Sequence, residues 1–438
     1  MEITERQTQM KIWRRVMPLV LTLNFFCGLD RMNIGFAALQ MNAYLGLSNA
    51  EFGKAAGSFV IGYSLLVIPS ALLMNRLGIR RGISLIALLW ALCSAATAFV
   101  RTPNELIAAR VLLGAAEAGF MPAMTLYLGY WFPSEYRGRA LASFFLVGPL
   151  LLIIGGPLSS VLLVNCDGLL GLAGWQWLFV LEALPALMLV PLAFLTLNDG
   201  PADAPWLSPQ EKERLIGRIA AEKKQGEGSQ ANHSTWRALA SGRVWQLAMV
   251  HFCLGISVTG FSTFLPLMIR AMEFSAFETG FIVAAPAFAA FVLMPLWGVW
   301  TDRSRNRVLV VAATCWTMAA GLLGMAVLLP SPWALIPISL VLVGHFGHIP
   351  SFWTLPLAFL TGAGAAAGMG LIVAMGHLAA LIGPPLVGWT KDLTGFFSAG
   401  MVLLASFAAV SAVILTIEGM RNRNSINRKA AAARAAGV

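Results

Sequence analysis

The chain has 438 residues, 58% of them hydrophobic and 11% charged, and a formal net charge of +10. Ordinary soluble domains carry about 25% charged residues, so this deficit, with a mean hydropathy of +0.75, excludes a soluble multidomain enzyme and indicates a chain that crosses a membrane many times. The positive excess does not mark a nucleic-acid binder, because Lys and Arg fall in short runs between apolar segments.

A spanning helix needs about 20 apolar residues. The first half predicts spans at 16–39, 52–75, 82–100, 105–130, 140–163 and 174–197, and the second half at 244–269, 277–300, 307–330, 333–355, 365–389 and 396–418. The first run follows Lys11, Arg14 and Arg15 but is too long for a signal-peptide core, so it reads as an uncleaved span. The expected fold class is an all-α membrane protein of twelve transmembrane helices in two pseudo-symmetric six-helix bundles. The expected domains are an N-terminal bundle (1–197), a cytoplasmic linker with an amphipathic helix (198–243), a C-terminal bundle (244–420) and a basic cytoplasmic tail (421–438). Only Arg101, Arg270 and Lys391 fall in segments assigned outside, which places both termini in the cytoplasm by the positive-inside rule.

The linker carries a helix start at Ser208-Pro209-Gln210-Glu211, with a Ser cap, Pro at the first helical position and Glu at the third. Leu215, Ile216 and Ile219 then give a short apolar stripe suited to a surface helix, and Gln225–Ser234 reads as a polar tether. The five cysteines are scattered and form no CxxC, so neither a disulfide framework nor a metal site is expected. G-x-S-x-G, H-E-x-x-H and P-loop patterns are all absent, which argues against an enzyme.

Charge inside the spans is the strongest functional signal. Asp30 and Arg31 interrupt the first span, and Arg110 and Glu117 lie in the fourth. Each such group costs about 2.5–3.5 kcal/mol at the centre of a spanning helix on insertion scales. At about 1.5 Å per residue, Asp30, Arg31 and Arg110 fall at a similar depth, with Glu117 deeper and Tyr63 near it. Seven residues is close to two helical turns, so Arg110 and Glu117 share a face. Two guanidiniums at one level can clamp a carboxylate. Glu117 is the candidate proton carrier, with Arg110 its expected partner until an anion competes for that Arg. Asp30 is a second coupling candidate, paired with Arg31. Glu182 reads as structural. The second half has no ionised residue deep in its spans, which leaves His377, Trp353 and Ser351 as its expected substrate contacts.

A loop echo links the halves. Asn75-Arg76 with Arg80 follows the second span, and Asp302-Arg303 with Arg307 follows the eighth. The pattern G-x-x-x-D-R-x-x-R, filled by Gly298, Asp302, Arg303 and Arg307, resembles the signature of the major facilitator superfamily, which also recurs in that position. The first copy departs, with Asn75 at the usual Asp. Within the superfamily the chain resembles the anion:cation symporter group over nearly its whole length. The residues that carry this are Asp30-Arg31-Met32-Asn33, Gly62-Tyr63, Arg110 through Gly119, Gly174-Trp175-Gln176-Trp177 and Trp206-Leu207-Ser208.

That group includes galactonate, glucarate, tartrate and phthalate carriers. The resemblance implies alternating access and proton-coupled uptake of a small organic acid: a sugar acid, a tartrate-like diacid or an aromatic carboxylate. It implies substrate binding at Arg31, Tyr63 and Arg110, and proton coupling at Asp30 and Glu117. It also implies a conformational gate at Asn75, Arg76, Asp302, Arg303 and Arg307. Proton is the coupling ion, with no cofactor and no metal. The expected partners are the organic acid, the proton and the lipid bilayer, with no nucleic acid, and the expected state is a monomer in a bacterial inner membrane. Span eleven departs from the group, reading Gly376-His377-Leu378 where members have Gly-Asn-Leu, and Val373 in place of a further Asn. The alternative is an organic-anion or organophosphate exchanger without net proton coupling.

Overall fold

In hydrocarbon each backbone N–H and C=O must find a partner inside the chain, so long apolar runs close into helices. The computed structural model describes residues 2–228, 235–304, 306–360 and 362–435. Twelve helices are long and apolar enough to cross a membrane, and no strand occurs among the described residues. Spans one to six are Glu5–Leu45, Asn49–Met74, Ile79–Thr97, Pro103–Trp131, Ser134–Asn165 and Gly174–Thr196. Spans seven to twelve are Gly242–Arg270, Ala276–Arg303, Arg307–Leu328, Pro332–Leu357, Ala367–Thr394 and Phe397–Asn422. The chain divides into two compact units, Met1–Gln230 with Ser275–Phe281, and Ala231–Phe274 with Ile282–Val438.

In the first unit, spans two and four touch backbone to backbone. A Cβ at Gly62 would collide with the Val111 carbonyl, and one at Gly114 with the Phe59 carbonyl. Small residues permit this approach in membrane helices, and it brings Phe59 and Tyr63 beside Arg110. Span four is interrupted at Ala118-Gly119, between helical segments Pro103–Glu117 and Phe120–Trp131. Span five holds a π-helical turn at Leu151–Gly155.

The Gly174–Trp177 motif anchors the start of span six. Gly174 N donates to Asp167, Trp175 N donates to Gln40, and Gln176 Nε2 reaches the Ala98 carbonyl at the end of span three. Trp175 is fully buried. This motif is therefore a structural joint between helix ends.

The linker helix, Pro209–Gly228, belongs to the first unit. Its predicted capping box forms, with Ser208 N to Glu211 Oε2 at 2.9 Å and Glu211 N to Ser208 Oγ at 3.2 Å. Glu211 also takes Lys11 Nζ at 2.6 Å. Arg218 pairs with Glu5 and, at 2.8 Å, with Glu135. The Lys11 hydrogen bond, and after it the one from the Ser208 backbone, hold Glu211 well below the usual carboxylate range, at about 2. The expected tether is shorter than its sequence suggests, because the helix continues through Gln225 to Gly228, and residues 229–234 lie outside the described residues.

In the second unit, spans seven and eleven interlock through Gly260 and Gly383, each against the other's backbone. Ser257 Oγ donates to the Leu404 carbonyl at 2.7 Å, which ties span seven to span twelve.

Candidate functional site

Span one carries Asp30 and Arg31 on different faces, and the two do not pair. Asp30 is 1% exposed and accepts a 2.7 Å hydrogen bond from Ser94 Oγ of span three. Arg31 turns toward span four, where its Nε donates to Glu117 Oε2 at 2.5 Å. Glu117 is fully buried and accepts a further contact from Cys27 Sγ at 3.3 Å.

This corrects two expected pairings. Glu117 is hydrogen-bonded by Arg31, not by Arg110, because span one brings the Arg31 guanidinium directly onto it, whereas Arg110 starts about 10 Å away along span four at ~1.5 Å per residue. Asp30 is held by a hydroxyl, not by Arg31.

Arg110 is 3% exposed, and its Nε and Nη1 have no hydrogen-bond partner. Its guanidinium carbon lies 5.2 Å from the centre of the Phe59 ring, and so does that of Arg31. Arg31 is also 5.3 Å from the Tyr63 ring, and Phe59 stacks with Tyr63 at 5.9 Å. Phe59 thus links both cations, a role the sequence reading missed. The available signal was its spacing of four from Tyr63, which puts both rings on one helix face. Ring faces attract guanidiniums and help hold the two cations near each other without neutralising them.

Glu182 lies elsewhere in the first unit. It is 2% exposed and accepts from Asn33 Nδ2 at 2.7 Å and Ser159 Oγ at 2.9 Å. These bonds join spans one, five and six, as expected for a structural carboxyl.

In the second unit, imidazoles and aromatic rings gather around His251 of span seven. His251 stacks on Phe352 at 5.2 Å and lies 5.3 Å from Trp353. Gly376 gives His251 room, since a Cβ there would meet the ring, and His377 follows it on span eleven, partly buried. His348 is buried against Phe352, and neither of its ring nitrogens has a partner. Ser351 departs from its expected role. It is fully buried, 2.6 Å from Thr301 Oγ1 and donating to the Gly347 carbonyl, so its hydroxyl is spent between spans eight and ten. That removes it from the substrate contacts.

The loop residues also distribute differently from expectation. Arg76, Asp302, Arg303 and Arg307 are exposed and make no hydrogen bond or ion pair among the described residues, and the side chain of Asn75 lies outside them. The contacts fall on their neighbours. Arg80 donates its backbone N–H to Asp199 at 2.8 Å and its Nε to the Phe194 carbonyl at the end of span six. In the second unit, Asn306 Nδ2 donates to the Gly419 carbonyl of span twelve at 2.8 Å. The two loops therefore tie to the ends of the sixth helix of their own units, the first through Arg80 of the loop echo and the second through Asn306, which the sequence pattern did not single out.

Residues 20–384 match the Major Facilitator Superfamily. Among similar proteins, one from Agrobacterium vitis named "Putative tartrate transporter" is 38% identical over 427 residues, covering 98% of this chain and 94% of that protein. The "Inner membrane transport protein RhmT" of Escherichia coli (strain K12) is 36% identical over 92% of both chains. Among solved structures, that of a D-xylose-proton symporter aligns with a TM-score of 0.74 at 14% identity, covering 92% of this chain and 96% of that one. A bacterial homologue of the human lysosomal transporter Spinster aligns at 0.70 and 18%, covering 94% and 97%. These two likenesses concern the fold. The chain belongs to the Major Facilitator Superfamily, as an integral membrane transporter whose relatives fit the organic anion:cation symporter group.

Proposed function

We propose that the protein takes up a small organic carboxylate together with a proton, by alternating access of its two bundles. The observation that carries this reading is the buried Arg110 guanidinium with unpartnered donors, beside an Arg31 already engaged by Glu117. A buried cation lacking an acceptor is costly unless a ligand supplies one. A substrate carboxylate meets that need with paired hydrogen bonds, and Arg31 has an unpartnered Nη2 to offer alongside.

Charge balance supplies the coupling. Asp30, Arg31, Arg110 and Glu117 together carry equal numbers of positive and negative groups. An entering carboxylate leaves the cluster with surplus negative charge, in a medium that screens poorly. A proton on Glu117 restores neutrality and releases Arg31 to the substrate. Asp30, fixed by Ser94, is the second coupling group. Tyr63 hydrogen-bonds the substrate, and His377 and Trp353 contribute from the second half. The gate comprises Asn75, Arg76, Asp302, Arg303 and Arg307, with Arg80–Asp199 and Asn306 as its anchors.

The tartrate-named relatives support a tartrate-like diacid, ahead of sugar acids and aromatic carboxylates. The protein works as a monomer in a bacterial inner membrane, with both termini cytoplasmic and no cofactor beyond the proton. Uptake of labelled tartrate into proteoliposomes under an imposed inward proton gradient tests the reading. The gradient should accelerate uptake in the native protein, and Glu117→Gln should abolish that response. Gradient-driven uptake that survives Glu117→Gln would sink the coupling scheme.

A further inference from the structure

A cleft of about 420 Å³ opens at the end of the first unit where span six gives way to the linker. Arg14 and Arg15 of span one lie on one side of it, and Leu192 and Leu195 of span six on the other. The Trp131–Trp206 pair, stacked at 5.2 Å, closes it. Trp206 Nε1 is already bound to Asn198 Oδ1 at 3.1 Å, so the aromatic wall is fixed.

Two features point to an occupant. Three cations near this end carry carboxylate partners: Lys11 has Glu211, Arg218 has Glu5 and Glu135, and Arg137 has Glu222. Arg14 and Arg15 are exposed and have no acidic partner among the described residues. Beside them the wall is apolar and open, with Leu195 72% exposed and Leu192 47% exposed. The cleft therefore joins a doubly cationic rim to a hydrocarbon-facing wall, at the boundary of span six where its last helical residue is Thr196.

We propose that this cleft binds an anionic phospholipid, with the headgroup phosphate on Arg14 and Arg15 and an acyl chain along Leu192 and Leu195. A free anion would use the arginines but leave the leucines bare, and a zwitterionic lipid would offer a phosphate whose charge its own cation already cancels. Guanidiniums suit phosphate through paired donors.

The test is native mass spectrometry of the full-length chain in detergent, titrated with phosphatidylglycerol or with phosphatidylcholine of the same acyl chains. Phosphatidylglycerol should be retained selectively. Arg14→Gln/Arg15→Gln should weaken its retention about tenfold or more, the scale for two cations near an anionic lipid surface. Arg14→Lys/Arg15→Lys, which keeps the charge but not the paired donors, should retain more than the Gln pair and less than the native chain. Arg81→Gln/Arg139→Gln, which removes equal charge from exposed arginines elsewhere, should leave it unchanged. Leu195→Gln reads the acyl side independently and should weaken retention. The proposal is overturned by unchanged retention in the Arg14/Arg15 or Leu195 variants, or by equal loss in the Arg81/Arg139 variant. It is equally overturned if inorganic phosphate raises the Tm as much as phosphatidylglycerol does, since that marks a free-anion site.

Discussion

Arg31 Nε donates to Glu117 Oε2 across 2.5 Å, joining span one to span four through a carboxylate with no exposure to solvent. The two arginines of the site are consequently unequal, since one is a structural partner before any ligand arrives and the other is not.

That inequality separates their mutants. Removing one partner of a buried ion pair costs about 3–5 kcal/mol, because the other charge stays buried. Arg31→Ala should therefore lower the Tm of the purified protein markedly. Arg110→Ala deletes a cation whose Nε and Nη1 have no protein acceptor and should lower the Tm less than Arg31→Ala does. The same Arg110 variant should lose carboxylate binding at least about tenfold, since hydrogen bonds to a charged group are worth about 1.5–3 kcal/mol. Thermal unfolding and calorimetric binding measured side by side decide the point, and equal destabilisation by both variants would contradict it.

Phe59 should matter through its ring. It lies 5.2 Å from both guanidinium carbons, and desolvated cation–π contacts are worth about 2 kcal/mol. Phe59→Leu keeps the bulk and removes the ring face, so substrate affinity should fall severalfold while the protein stays folded. Phe59→Tyr should retain affinity. Transport KM and near-UV circular dichroism provide the readout.

Gly114 should tolerate no side chain. A Cβ there meets the Phe59 carbonyl, a backbone atom that cannot rotate away. Gly114→Ala should destabilise by about 1–3 kcal/mol, the usual cost of overpacking, and should displace Phe59 from the arginines. Gly370→Ala, at a position with open space around it, is the matched control and should be silent in thermal unfolding.

The linker helix should loosen in acid. Glu211 is held at about 2, first by the Lys11 hydrogen bond and then by the Ser208 backbone. A depressed folded-state value contributes stability that is fully present above the unfolded value of 4.5 and is lost as pH falls toward about 2. Hydrogen exchange in the linker helix should accelerate across that window. Glu211→Gln should show faster exchange at neutral pH and little further change on acidification.

Much of this protein was legible from its sequence, for reasons that are one-dimensional. Hydrocarbon demands a run of apolar residues of set length, so twelve spans could be counted, and the Ser208–Glu211 cap could be read because its bonds are local. Asp30, Arg31, Arg110 and Glu117 stood out because charge is expensive at those positions whatever surrounds them. The pairings did not follow. Spacing along span four placed Arg110 and Glu117 on one face, yet Glu117 is bonded to a residue 86 positions away. Phe59 entered only because Gly62 and Gly114 let two backbones touch, and Ser351 left because Thr301 of another span reached its hydroxyl first. Periodicity reports which residues are buried, whereas the choice of hydrogen-bond partner depends on how helices cross, and that is decided by packing between segments far apart in the chain.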